Sequence, residues 1–172
     1  MYSVIKAREL KHSHDSAGYE ATVGYQGVPV VHVFDDGWGG CLQLTWADET
    51  SPKVVVGDRR FTPYEAGMML HVLSLPPSTY EDDEGKTQQL PYDLELYLNE
   101  LIAEYLNMKD FSKILNKAVV VFNGEKFLEF KHSSPEEALA AVRKKWPDSN
   151  PLCLNIMTLE EAYQLYKKHM PA

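Results

Sequence analysis

A chain of 172 residues with 44% hydrophobic composition carries enough apolar side chain to bury a proper core. Its formal charge of −8 argues against nonspecific DNA or RNA binding, which depends on Lys and Arg neutralising phosphates. The two cysteines, Cys41 and Cys153, form neither a disulfide framework nor a metal-ligand pair, no apolar run is long enough to span a bilayer, and MYSVIKARELKHSHD lacks an apolar signal region, so the expectation is a soluble, cytoplasmic protein.

In chain order, Tyr2 to Leu10 is expected to form a strand beside the meander of the first half, and Lys11 to Ala17 is a polar connector. The stretch from Gly18 to Trp46 organises that half. Tyr19, Ala21, Val23 and Tyr25 alternate with Glu20, Thr22 and Gly24, the period of a half-buried strand. Gln26-Gly27 offers a tight turn into the β-branched run Val28 to Phe34, although Pro29 argues against a fully paired central position. Asp35-Asp36-Gly37-Trp38-Gly39-Gly40 is a second turn, and Cys41 to Trp46 resumes alternation, which completes an antiparallel meander. Three glycines around Trp38 exceed what a hairpin needs. Either Trp38 folds back onto the sheet beside a wide turn, or a ligand or partner approaches the backbone there. The pattern is no phosphate-binding loop, because it leads into a strand and not into a helix N-terminus.

Lys53 to Val56 is a short edge strand ended by Gly57-Asp58. Thr62-Pro63-Tyr64-Glu65 is a capping box that opens a helix whose apolar residues surround most of its circumference, so the helix is expected to lie buried on the sheet. Pro76-Pro77 stops it, and Ser78 to Pro91 reads as an exposed acidic loop. Asp93 caps a long helix with Leu94, Leu98, Leu101, Ile102 and Tyr105 on one face, and Asp110 to Asn116 is expected to form a separate short helix. Ala118 to Phe122 and Glu125 to Lys131 flank Asn123-Gly124, a type I′ hairpin signal. Capping boxes at Ser134-Pro135-Glu136-Glu137 and Thr158-Leu159-Glu160-Glu161 start two more helices, with a strand expected over Leu152 to Met157. The fold class is α+β: an N-terminal antiparallel meander packed by a helix over 1–77, an acidic loop over 78–92, and an α-β-β-α-β-α lobe over 93–172, the halves forming either two lobes or one continuous domain.

The run Tyr19-Glu-Ala-Thr-Val-Gly-Tyr-Gln-Gly-Val-Pro-Val followed by Asp36-Gly37-Trp38-Gly39-Gly40 resembles the N-terminal signature of small proteins encoded by tailed bacteriophages and prophages. The segment Leu154-Asn155-Ile156-Met157-Thr158-Leu159-Glu160-Glu161-Ala162 is similar to a motif near their C-termini, while Pro29 and Trp38 depart from the commoner small polar residues. The resemblance implies an accessory protein acting inside a bacterial host. It brings no catalytic residue.

Between Glu81 and Glu104 stand eight acids against a single base, Lys86. An acidic surface attracts a basic partner, so Glu81, Asp82, Asp83, Glu84, Glu95, Glu100 and Glu104, together with Trp38, are the expected partner-binding residues. The function expected is a non-enzymatic protein that binds and interferes with a host protein, a defence component among the targets, with no cofactor, no direct nucleic-acid contact and no membrane association. The alternative is a small metal- or nucleotide-dependent enzyme built on the His/Asp/Gly-rich turns, with His32, Asp35, Asp36 and Cys41 as its acid, base and nucleophile set. A third is an interaction domain in virion assembly. His12 and His14 would point the same way on an extended segment but are only half of a metal site, and solvated loop residues are the favoured explanation of them.

Overall fold

Alternation of small apolar residues with polar ones builds the first sheet. The computed structural model describes residues 1–10 and 18–169, with the backbone alone of Glu81. His12 and His14 lie outside the described residues. The protein is α+β and falls into two compact units, Met1–Leu106 and Asn107–Ala172.

In the first unit β1 (Tyr2–Glu9), β2 (Tyr19–Tyr25), β3 (Val28–Asp35) and β4 (Gln43–Trp46) form an antiparallel meander in that order. Gln26 and Gly27 both take positive φ, 51° and 82°, the type I′ geometry that matches strand twist. The register explains Pro29. Val23 pairs with Val31 but Gly24 with Pro29, so Val30 is an extra residue in a β-bulge, and β4 pairs only from Val31 onward. A central strand therefore tolerates proline because the residue sits at the bulge, where the missing N–H costs no ladder bond.

The inner face of the meander, including Ala21, Val23, Val31, Val33 and Trp46, is buried. Two helices cover it. α1 (Pro63–Leu73) starts at Thr62, whose Oγ1 accepts from the Glu65 N–H at 3.0 Å while the Glu65 carboxylate accepts from the Thr62 N–H. It buries Ala66, Met68 and Val72 but leaves Leu70 and Leu73 exposed at 62% and 72%, so the expected all-round burial is not what forms. Before it, β5 (Val54–Val56) pairs with β6 (Arg59–Phe61), a partner strand its two arginines concealed.

The segment expected to be an acidic loop is a hairpin, β7 (Ser78–Glu81) with β8 (Thr87–Leu90). Polar residues fill β8 and leave no alternation to read. Its turn is held by Asp82, whose carboxylate accepts from the N–H groups of Glu84 and Lys86, and by Gly85 at φ 73°. α2 (Leu94–Lys117) is one continuous helix, not two. Asp93 caps it by accepting from the Leu96 N–H at 2.8 Å, and Leu98 and Ile102 enter the core of the first unit. The division between units falls inside this helix, after Leu106.

In the second unit β9 (Val119–Phe122) lies between β10 (Phe127–Phe130) and β11 (Leu152–Cys153), all antiparallel. Alternation along β9 serves two clusters: Val120 and Phe122 pack with Phe111, Leu154 and Tyr163, while Val121 packs with Ala138, Val142 and Cys153. Asn123-Gly124 does not make the expected two-residue turn. Phe122 pairs with Phe127 across a four-residue loop, and the Asn123 side chain accepts from the N–H groups of Glu125 and Lys126. α3 (Pro135–Lys145) and α4 (Leu159–His169) carry the capping boxes expected at Ser134 and Thr158. The strand expected over Leu152 to Met157 gives way after Cys153 to a 3₁₀ turn, Leu154–Ile156.

That turn places Asn155 where one side chain satisfies three backbone groups. Its Oδ1 accepts from the Val120 N–H at 2.7 Å, and its Nδ2 donates to the carbonyls of Leu115 and Ala118, which the end of α2 leaves without helical partners. Removing it orphans all three, so Asn155→Ala is expected to destabilise by about 2–4 kcal/mol. Its exposed neighbour changed as Ile156→Ala should lose less than about 1 kcal/mol. Urea unfolding of both variants checks the pair; equal losses would contradict the assignment.

Candidate functional site

The chain just after the Trp38 turn is tied to the start of α2, where part of the acidic segment lies. Asp35 Oδ1 accepts from the Gly37 N–H at 2.8 Å and Asp36 Oδ1 from the Trp38 N–H at 2.9 Å, two successive side-chain turns that raise the loop tip. Gly37 and Gly39 take φ 78° and 77°. Trp38 is 61% exposed, so its ring is not buried against the sheet. Four residues on, the Leu42 N–H donates to Glu95 Oε1 at 3.0 Å. One turn along the helix, Asn99 Oδ1 accepts from the Tyr19 hydroxyl. Burial pushes that phenol far above its usual range, with the carboxylates of Asp35 and Glu95 adding to the effect.

The other end of the acidic segment docks on the same helix. Glu100 accepts from the Tyr92 hydroxyl at 2.6 Å and from the Ser78 hydroxyl at 3.5 Å, which ties α2 to β7 and raises the Tyr92 phenol. The expected partner-binding acids thus divide by role. Asp82 builds the hairpin turn, and hydrogen bonds from Gln88, Lys86 and Glu84 hold its carboxyl below the usual range. Glu95 and Glu100 hold neighbouring elements. Asp83 is exposed, Glu84 pairs with Lys86 at 2.6 Å on the surface, and Glu104 is half-buried on α2. Such exposed pairs contribute little to folding and keep most of their field for a partner.

His32 lies on the outer face of the meander in register with Thr22 and Thr45, with Nε2 3.4 Å from Glu20. Glu20 also accepts from Arg8 Nε at 2.8 Å, and this guanidinium holds the carboxyl below its usual range. Lys6, Arg8, Glu20, Thr22 and His32 line a shallow depression of about 360 Å³. Asp35 and Asp36 are instead engaged in their own turn, and Cys41 is exposed. The structure therefore does not assemble His32, Asp35, Asp36 and Cys41 into one hydrogen-bonded set. Among the described residues no group of three or more His, Cys, Asp or Glu side chains has the geometry to hold a metal ion, and no helix is long and apolar enough to cross a membrane.

Glu95 and Asn99 are the residues that reading the sequence missed in their structural role. Glu95 is expected only as a partner-binding acid and Asn99 is not singled out; their four-residue spacing, which puts them in one row, is the signal available.

No family model, curated protein or solved structure matches the chain.

The turn itself separates conformation from contact. Gly39 holds φ 77° with open space where a Cβ would stand, so Gly39→Ala should cost about 1–2 kcal/mol through backbone strain alone. Gly40 has equally open space and no positive φ, so Gly40→Ala should be neutral within about 0.5 kcal/mol. Thermal unfolding of the two variants distinguishes them; equal behaviour would show that the turn does not depend on left-handed backbone at Gly39.

Proposed function

We propose that the chain is a non-enzymatic phage accessory protein that binds a host protein through a basic surface on that partner and so interferes with it, components of bacterial defence being the class of target. The observation that carries this reading is the Leu42 to Glu95 hydrogen bond, which ties the chain four residues after the exposed Trp38 to the acidic start of α2. A rigid aromatic tip supplies contact area at low entropic cost, and its ring face also attracts Lys or Arg. Surrounding carboxylates add long-range attraction that speeds encounter with a cationic surface. The resemblance of the Tyr19 to Val30 run and the Asp36 to Gly40 turn to phage-encoded proteins supports a biological setting in the host cytoplasm.

The two parts of the surface act on different rate constants. Removing surface charge as Asp83→Asn and Glu84→Gln together should slow association about fivefold with stability unchanged, and raising salt should mimic it, since the Debye length is already only about 8 Å near physiological ionic strength. Trp38→Ala should instead speed dissociation, by about tenfold or more. Affinity purification from bacterial lysate identifies the partner, and surface plasmon resonance on that partner reads both rates. An affinity insensitive to salt and to all three substitutions would rule the surface out.

A further inference from the structure

The β5–β6 hairpin leaves an apolar surface without a core of its own. Val54, Val55 and Val56 are 41%, 65% and 47% exposed, and because alternate residues face opposite ways the valines show on both faces of the two-stranded sheet. Three-residue strands with no buried face are marginal alone, and large apolar side chains in a row mark contact surfaces. Among the described residues α1 packs against both strands and itself exposes Leu70 and Leu73.

Charge identifies what fits. Arg60 stands opposite Val55 and Arg59 opposite Val56, Lys53 precedes the hairpin, Asp58 in its turn is the one acid against these three bases, and neither arginine forms an ion pair among the described residues. This is a cationic, apolar patch in a chain of net charge −8. Its complement is anionic and apolar, and the same chain presents one: the β7–β8 hairpin exposes Tyr80 and Leu90 at 52% and 46% along its strands, and its turn carries Asp82, Asp83 and Glu84 against Lys86. Two β5–β6 hairpins facing each other across a twofold axis would set arginines against arginines. We infer that the chain associates with a second copy of itself head to tail, the Val54–Val56 hairpin with Arg59 and Arg60 of one copy seating on the Tyr80/Leu90 hairpin with Asp83 and Glu84 of the next. Such a contact does not use the same patch on both copies, so it generates either a closed ring or an open chain of subunits. The inference does not depend on the host-binding reading, though both draw on Asp83 and Glu84, so self-association would compete with a basic partner.

Sedimentation velocity on the purified chain tests it, with no host protein present. Mass should rise with protein concentration and fall with salt. Arg59→Glu with Arg60→Glu should weaken association about tenfold or more, and so should Asp83→Lys with Glu84→Lys, because each sets like charges together. Mixing the two double variants should restore association between them, which also shows that both are folded. Val55→Asp should abolish it. A wild-type chain that stays monomeric at all concentrations overturns the inference. Association that Val55→Asp abolishes but that neither charge reversal nor salt affects overturns the head-to-tail arrangement in favour of a symmetric apolar pairing.

Discussion

Burial of the inner valine face of the meander beneath two helices is the constraint on which the first unit depends. Val23, Val31 and Val33 are fully shielded together with Met68 of α1 and Leu98 and Ile102 of α2. At about 1.5–3 kcal/mol for each side chain taken out of water, no surface interaction in this unit competes with that term. Its consequence reaches the surface through helix geometry. Leu98 and Ile102 occupy one row of α2, so the adjacent row holding Glu95 and Asn99 must run along the rim of the sheet. There Glu95 meets the Leu42 N–H and Asn99 meets the Tyr19 hydroxyl. Hydrophobic packing thus decides which carboxylate meets the chain just after the Trp38 turn, and two aspartates close that turn on themselves.

The second unit follows the same logic on a smaller scale. A four-residue strand, β9, feeds clusters on both of its faces, so it depends on neighbours that also complete its hydrogen bonding. Asn155 does this at the junction between the end of α2 and the start of β9. Polar satisfaction of helix ends is here a condition for packing the strand, since a buried orphan carbonyl costs more than a typical hydrogen bond contributes.

What was legible in the sequence was what neighbouring residues decide. The three capping boxes at Thr62, Ser134 and Thr158 appear as read, because each is closed by groups three residues apart. The Gln26-Gly27 turn is likewise local. Elements without an apolar period were hidden: the β7–β8 hairpin is held by turn chemistry at Asp82, and β6 carries two exposed arginines. α2 runs unbroken through Met108-Lys109-Asp110, where a separate short helix is expected from the sequence, and Asp110 sits mid-helix with its carboxylate on Lys113. The candidate surface was half legible. Its charge and its tryptophan are composition, whereas the link from Leu42 to Glu95 is a contact spanning 53 residues, which no local pattern records.

The acids of this surface accordingly do different things despite one sign of charge. Those turned toward backbone and hydroxyl groups hold the scaffold, and those on the β7–β8 turn face solvent, so one acidic segment both builds a surface and charges it. The join between helix and turn is its central element. Amide hydrogen exchange at Leu42 measures that join directly. In the wild type the Leu42 amide should be protected, and Glu95→Ala should speed its exchange about tenfold or more while Val23 and Val31 keep their protection. A Leu42 amide that exchanges at the same rate in both proteins would contradict the account, because the Trp38 turn would then be held in place without the helix.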